Sequence, residues 1–214
     1  MKFEIVCFDC DSTLSAIEGI DELARRVGLG EQMAALTHAA MNGEVTLQEV
    51  YAQRLDAIRP DRAAIDWVAE LYIAQIVAGA LATVSKLLQQ GAEVHIVSGG
   101  LRQAILPLAH HLGIPAAQVH AVDVYFKDDG SYQSFDQHAL LAQTGGKAKV
   151  CQQLNPGQKS LVMVGDGQTD LEAQQAGATV IGFGGVVARP AVQAKADFFV
   201  ADASLEAVLT YILD

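Results

Sequence analysis

Four aspartates, a lysine and a serine stand where this chain could do chemistry. Asp9 and Asp11 follow the apolar run Phe3 to Cys7, one residue apart at the end of a strand-like segment. Like charges so close repel each other. Taken alone, "DCDST" also reads as a loop pair that caps the next helix. Asp166 and Asp170, in "GDGQTD", add two carboxylates after a second apolar run, "LVMV". Acids converging on one point call for a cation, and hard oxygen donors with no His or Cys among them suit Mg2+. Lys147, in "GGKAKV", opens a helix behind Gly145-Gly146, where exposed amides would face an anion. Ser98, Gly99 and Gly100 offer a hydroxyl and unhindered amides ahead of another helix. Cation, lysine, hydroxyl and helix N-termini together describe a phosphate site.

The elements that must position these groups are short apolar strands alternating with helices. "FEIVCF", "EVHIVS", "LVMVG", "ATVIGF" and "DFFV" read as fully buried strands, which argues for an α/β fold with a parallel sheet covered on both faces. In such a sheet ligands sit beyond the carboxyl ends of the strands, so Asp9 and Asp11, Ser98 to Gly100, and Gly165 to Gly167 should meet at one edge. "VDVYFKDDGSYQSF" alternates around Asp129-Gly130 and predicts a β-hairpin with a two-residue turn. Four helical patterns and no strand fill residues 15–76. They are expected to form an inserted helical cap, with residues 1–14 and 77–214 making the core.

Composition narrows the partners. The chain has 214 residues, 51% of them hydrophobic, and a formal net charge of −11, which argues against nucleic acid. Cys7, Cys10 and Cys151 form no disulfide framework or metal motif, which fits a reducing cytoplasm. Met1-Lys2 leads directly into a strand without a signal-peptide pattern, and the most apolar later stretch, "YIAQIVAGALATV", is too short to span a bilayer. The six histidines show no metal spacing; His110-His111 reads as a helix end.

The chain resembles the haloacid dehalogenase superfamily phosphatases. Asp9-Cys10-Asp11-Ser12-Thr13 matches the first motif, Ser98 the second, Lys147 the third, and "GDGQTDLEA" with Asp166 and Asp170 the fourth, in the family's order over nearly the whole chain. The resemblance implies a Rossmann-like core with a cap. It implies Asp9 as the nucleophile that forms an aspartyl-phosphate, and Asp11 as the acid for the leaving oxygen and then the base for water. Mg2+ would be held by Asp9, the Asp11 carbonyl and Asp166, with Asp170 positioning it. Lys147 and Ser98 would stabilise the phosphoryl oxygens.

"DSTLSAIEGIDELA" is similar to the phosphoserine phosphatases within that superfamily. The resemblance implies Glu18 for a substrate ammonium, Arg54 for its carboxylate, Met41 as an apolar contact and Thr169 near the substrate. By pattern alone, Glu18 reads as a first-turn helix acid, Arg54 as a solvated helix residue and Met41 as core. Arg189 is implied either as a support of the site or as surface, and Cys10 as a variable position. The chain departs from many relatives at Asn42, Leu47, Ala78, Val122 and Asp123. The expectation is a Mg2+-dependent phosphoserine phosphatase of L-serine biosynthesis, cytoplasmic, a monomer or homodimer. The alternatives are action on another small phosphate ester, phosphotransfer to a small acceptor, or a non-enzymatic phosphoaccepting receiver.

Overall fold

The computed structural model describes residues 2–41, 44–45 and 47–213, without the side chains of residues 37, 40, 41 and 47–49. Strand β1 (Ile5–Phe8) is buried along its length and ends at Asp9. Four helices follow: α1 (Gly19–Arg26), α2 (Gly30–Met41), α3 (Leu47–Ile58) and α4 (Arg62–Ala74). The chain then runs through α5 (Ala80–Gln89), β2 (Glu93–Leu101), α6 (Arg102–His111), β3 (Val119–Val122), β4 (Val124–Phe126) and β5 (Tyr132–Phe135). It closes with α7 (Gly146–Leu154), β6 (Leu161–Gly165), α8 (Gln168–Leu171), β7 (Thr179–Phe183), α9 (Pro190–Lys195), β8 (Phe198–Val200) and α10 (Leu209–Leu213).

Six strands form one parallel sheet in the order β3-β2-β1-β6-β7-β8. From β1 the chain winds to β2 and β3 on one side and to β6, β7 and β8 on the other. The reversal beside β1 opens a crevice at the strand ends. Phe8 pairs with Ile96 of β2 and Val164 of β6, so Asp9 emerges between the ends of its two neighbours. The strand cores explain the burial: β6 is buried at all five positions, as a strand covered on both faces must be.

Three local expectations are corrected. The sheet has a sixth strand, β3, within "VHAV". It is an edge strand with His120 and Ala121 half-exposed, so its apolar signal is broken. Strand β2 extends through Ser98, Gly99 and Gly100 to Leu101, because Leu101 pairs with Val122 across a register shift; those residues lie within the strand rather than after it. The hairpin turn is longer than two residues. Phe126 pairs with Tyr132, Lys127 N–H donates to Ser131 O at 2.9 Å, and three residues lie between that pair. Gly130, with φ +82°, takes the left-handed position that ends such a loop.

The helical segment leaves and rejoins the sheet through a narrow neck. Ala16 N–H donates to Gln75 O at 2.8 Å, Val77 N–H to Leu14 O at 2.9 Å, and the Ser15 hydroxyl to Gln75 O at 3.1 Å. Asp61 caps α4 by accepting from Ala64 N–H at 2.7 Å. Leu23, Met33, Leu55, Ile65, Val68 and Tyr72 of these helices are buried in a core continuous with that of the sheet. Among the described residues no helix is long and apolar enough to cross a membrane.

Candidate active site

The strand ends and the helical segment enclose a cavity of about 60 Å³. Asp9, Asp11, Ser98, Gly99, Gly100, Lys147, Asp166 and Thr169 line it from the sheet side, and Glu18 and Arg54 from the helices. Asp170 lies directly behind, fully buried. Met41 closes α2, but its side chain falls outside the described residues, as do Asn42 and the Leu47 side chain.

Lys147 ties the acidic groups together. Its Nζ is 2.8 Å from Asp9 Oδ2 and 2.6 Å from Asp170 Oδ1. Burial alone would lower the lysine pKa, but Asp170 and Asp9 more than reverse that, so Lys147 stays charged. Asp170 Oδ2 accepts from Gly167 N–H at 2.9 Å. That approach requires Gly165, where a Cβ would run into the Asp170 carboxylate. Cys10 N–H donates to Asp9 Oδ1 at 2.7 Å.

Oxygens of Asp9, Asp166 and Asp170 lie within 4.8 Å of one another. Three buried hard-oxygen donors at that spacing fit a divalent cation such as Mg2+. Burial, then Asp170 and Asp9, push the Asp166 pKa up to about 7. Burial raises Asp170 to about 6 despite Lys147. The Asp11 side chain stands apart from this cluster. Its Oδ1 accepts from Gly19 N–H at 2.6 Å and from the Tyr72 hydroxyl at 2.8 Å, while Oδ2 lies 3.5 Å from Ser98 Oγ. Burial and the Asp9 charge raise Asp11 to about 6.

Ser12 makes the turn between the acids and the helices with φ +52°, a left-handed conformation that costs an L-residue about 1–2 kcal/mol. Its hydroxyl donates to Glu18 Oε1 at 2.8 Å. Glu18 is the N-cap of α1 but makes no capping bond; its carboxylate faces the cavity instead. Burial, then Asp11 and Asp166, raise its pKa well above the usual range. Arg54 is buried rather than solvated, with its guanidinium 5.8 Å from the Tyr51 ring centre.

The expected amide cradle at Gly145-Gly146 is differently used. Gly146 N–H donates to Gln143 O at 3.1 Å, and the Gly145 amide acts to lower the pKa of the Glu172 carboxyl, which burial raises. Cys10 is an inert thiol: burial, then Asp11 and Asp9, push its pKa up. Arg189 takes the supporting place that the resemblance offers as one of two readings, whereas two tyrosines were not found from sequence. Arg189 is buried, donating from Nε to Asp166 Oδ2 at 2.9 Å, with Nη2 3.8 Å from Glu18 Oε1. Tyr51 donates to Gly99 O at 2.9 Å, and Tyr72 to Asp11. A resemblance had flagged Arg189; nothing in the helical pattern flags the tyrosines.

A family model for haloacid dehalogenase-like hydrolases matches residues 3–177. The chain is 39% identical to the chloroplastic phosphoserine phosphatase of Arabidopsis thaliana over 92% of its own length and 68% of the relative's. It is 36% identical to the phosphoserine phosphatase of Homo sapiens over 93% and 89%. Among solved structures it superposes on a substrate-bound phosphoserine phosphatase complex with TM-score 0.85 and 25% identity, covering 99% of each chain. A phospho-aspartyl intermediate analogue of phosphoserine phosphatase superposes with TM-score 0.81, also at 25% identity over 99% of each. The chain belongs to the haloacid dehalogenase-like hydrolase family.

Proposed function

We propose that this chain hydrolyses O-phospho-L-serine to serine and phosphate through a phosphoryl group carried on Asp9. One observation carries the reading: phosphate chemistry and the two charges that suit a zwitterion share one enclosed cavity. Asp9, Asp11, Ser98 and Lys147 line one wall, and Glu18 and Arg54 the other. The phosphoserine phosphatases among its relatives support the same substrate. Family membership removes the receiver alternative.

The Asp9 carboxylate attacks phosphorus, and the P–O bond to the serine oxygen breaks. Asp11 gives its proton to that oxygen. A water then attacks the phosphoryl group on Asp9, Asp11 takes its proton, and phosphate leaves with Asp9 restored. A carboxyl near pKa 6 can both give and take that proton close to neutral pH. Lys147 and Ser98 supply fixed positive charge and a donor where the phosphoryl oxygens gather charge. The carboxylates of Asp9 and Asp166 and the Asp11 carbonyl would hold Mg2+, with Asp170 supporting them. Bound there, the ion neutralises charge between the anionic nucleophile and the anionic ester.

Residues 15–76 act as the cap that reads the amino-acid part, swinging on the neck at Leu14–Ala16 and Gln75–Val77. Glu18 takes the ammonium, whose charge would draw its carboxyl back to the ionised form, and Arg54 takes the carboxylate. Thr169 borders the phosphate. Met41 is retained from the family resemblance as an apolar neighbour. The three free thiols suit a reducing cytoplasm.

The test is a panel of phosphorylated metabolites assayed with Mg2+ and again with EDTA. Phosphoserine is expected to lead the panel in kcat/KM, and EDTA to abolish turnover reversibly. Preference for an ester lacking either the ammonium or the carboxylate would overturn the substrate assignment.

A further inference from the structure

Tyr72 lies in α4, only 1% exposed, and its hydroxyl reaches 61 residues back along the chain to Asp11 Oδ1 at 2.8 Å. The Gly19 amide donates to the same oxygen at 2.6 Å. Neither donor can readily turn away. One is backbone, and the other is a phenol held by a fully buried ring. A phenol keeps its proton at neutral pH and a carboxylate can only accept, so Tyr72 is the donor. Gly19 is what lets it arrive, because a Cβ there would run into the Tyr72 hydroxyl. The other carboxylate oxygen, Oδ2, lies 3.5 Å from Ser98 Oγ, beyond a good O–H···O hydrogen bond. It faces Ser98, which lines the same cavity.

We propose that Tyr72 is a positioning residue for the acid–base steps. Together with Gly19 N–H it saturates Oδ1, so Oδ2 is the oxygen that exchanges a proton with the leaving serine oxygen and then with water. Both donors belong to residues 15–76, so Asp11 is oriented only while that segment is docked on the sheet. The acid becomes competent with closure. This inference rests on the reading of Asp11 as the acid–base group.

The experiment is single-turnover phosphoryl transfer by Tyr72→Phe across esters of different leaving-group strength, from phosphoserine to p-nitrophenyl phosphate. A poor alkoxide leaving group needs the proton, whereas p-nitrophenolate does not. General acid catalysis is worth about 10²–10⁴-fold, so the loss on phosphoserine should exceed the loss on p-nitrophenyl phosphate by roughly tenfold or more. The dependence of rate on leaving-group pKa should steepen accordingly. A ratio of two rates does not depend on how much of the variant is folded, and Tyr72→Leu should shift it the same way. Equal losses on all esters would reduce Tyr72 to packing and overturn the proposal, as would no loss on phosphoserine. A wild-type enzyme that cleaves aryl but not alkyl phosphates would instead overturn the Asp11 assignment, and this inference with it.

Discussion

Arg189 Nε donates to Asp166 Oδ2 at 2.9 Å, with both side chains buried at the flank of the acidic cluster. Arg189 also faces Glu18, so one guanidinium serves the buried Asp166 and the half-buried Glu18. Arg189→Met keeps the bulk and removes the charge. Stranding one side of a buried pair costs about 3–5 kcal/mol, and at this chain length each kcal/mol shifts Tm by about 2–4 °C. Thermal melts at neutral pH should therefore fall by at least about 6 °C. Saturating Mg2+ should return part of that loss, since it restores positive charge beside Asp166. A variant melting within a degree of wild type would show that the pair adds no stability.

Stability should also depend on pH through the same acids. Asp166 is raised to about 7, and Asp170 and Asp11 to about 6, all above the unfolded carboxyl value of about 3.9. The folded chain thus binds more protons than the unfolded one between about pH 4 and 7, and this contribution is lost as pH rises through that window. Burial lowers His95 and His120, which works the other way on the acid side. The gain in Tm on adding Mg2+ separates the two, because the ion needs ionised carboxylates and does not touch the histidines. That gain should grow from pH 5 to 7.5. A gain independent of pH would place the cation elsewhere.

How much of this could be read from residues alone follows from geometry. Asp9, Ser98 and Asp166 each come at or near the end of an apolar run, and a parallel sheet brings such ends to one edge. The run is local and visible, so its consequence is too. Lys147 was legible through Gly145 and Gly146, which cap and open its helix. Tyr72 and Tyr51 were not: each is an ordinary aromatic on a helix, and their partners lie 61 and 48 residues away. Strand β3 was hidden because Val119 and Val122 are buried while the residues between them are half-exposed, and because "VHAV" runs on without a break into the hairpin. Glu18 was ambiguous until its carboxylate was seen to turn from the helix end toward the cavity.

Under the proposed function, Glu18 and Arg54 read the two charges of the substrate. Leaving one charge of a zwitterion unpaired in a closed cavity costs on the order of 2–5 kcal/mol, roughly thirtyfold to several-thousandfold in kcat/KM. Glu18→Gln and Arg54→Ala should each lose that much on phosphoserine, and much less on p-nitrophenyl phosphate, which carries neither charge. Steady-state kinetics on both esters give the ratio. Parallel declines would make these residues supports of cap packing rather than readers of substrate.

Acid-quenched peptide mapping during phosphoserine turnover shows whether phosphate passes through Asp9. With Mg2+ present, one phosphoryl group is expected on the peptide containing Asp9. It should discharge once substrate is exhausted, and be absent from Asp9→Asn, which should not turn over. Steady turnover with Asp9 unlabelled, or an Asp9→Asn enzyme hydrolysing phosphoserine at the wild-type rate, would contradict it.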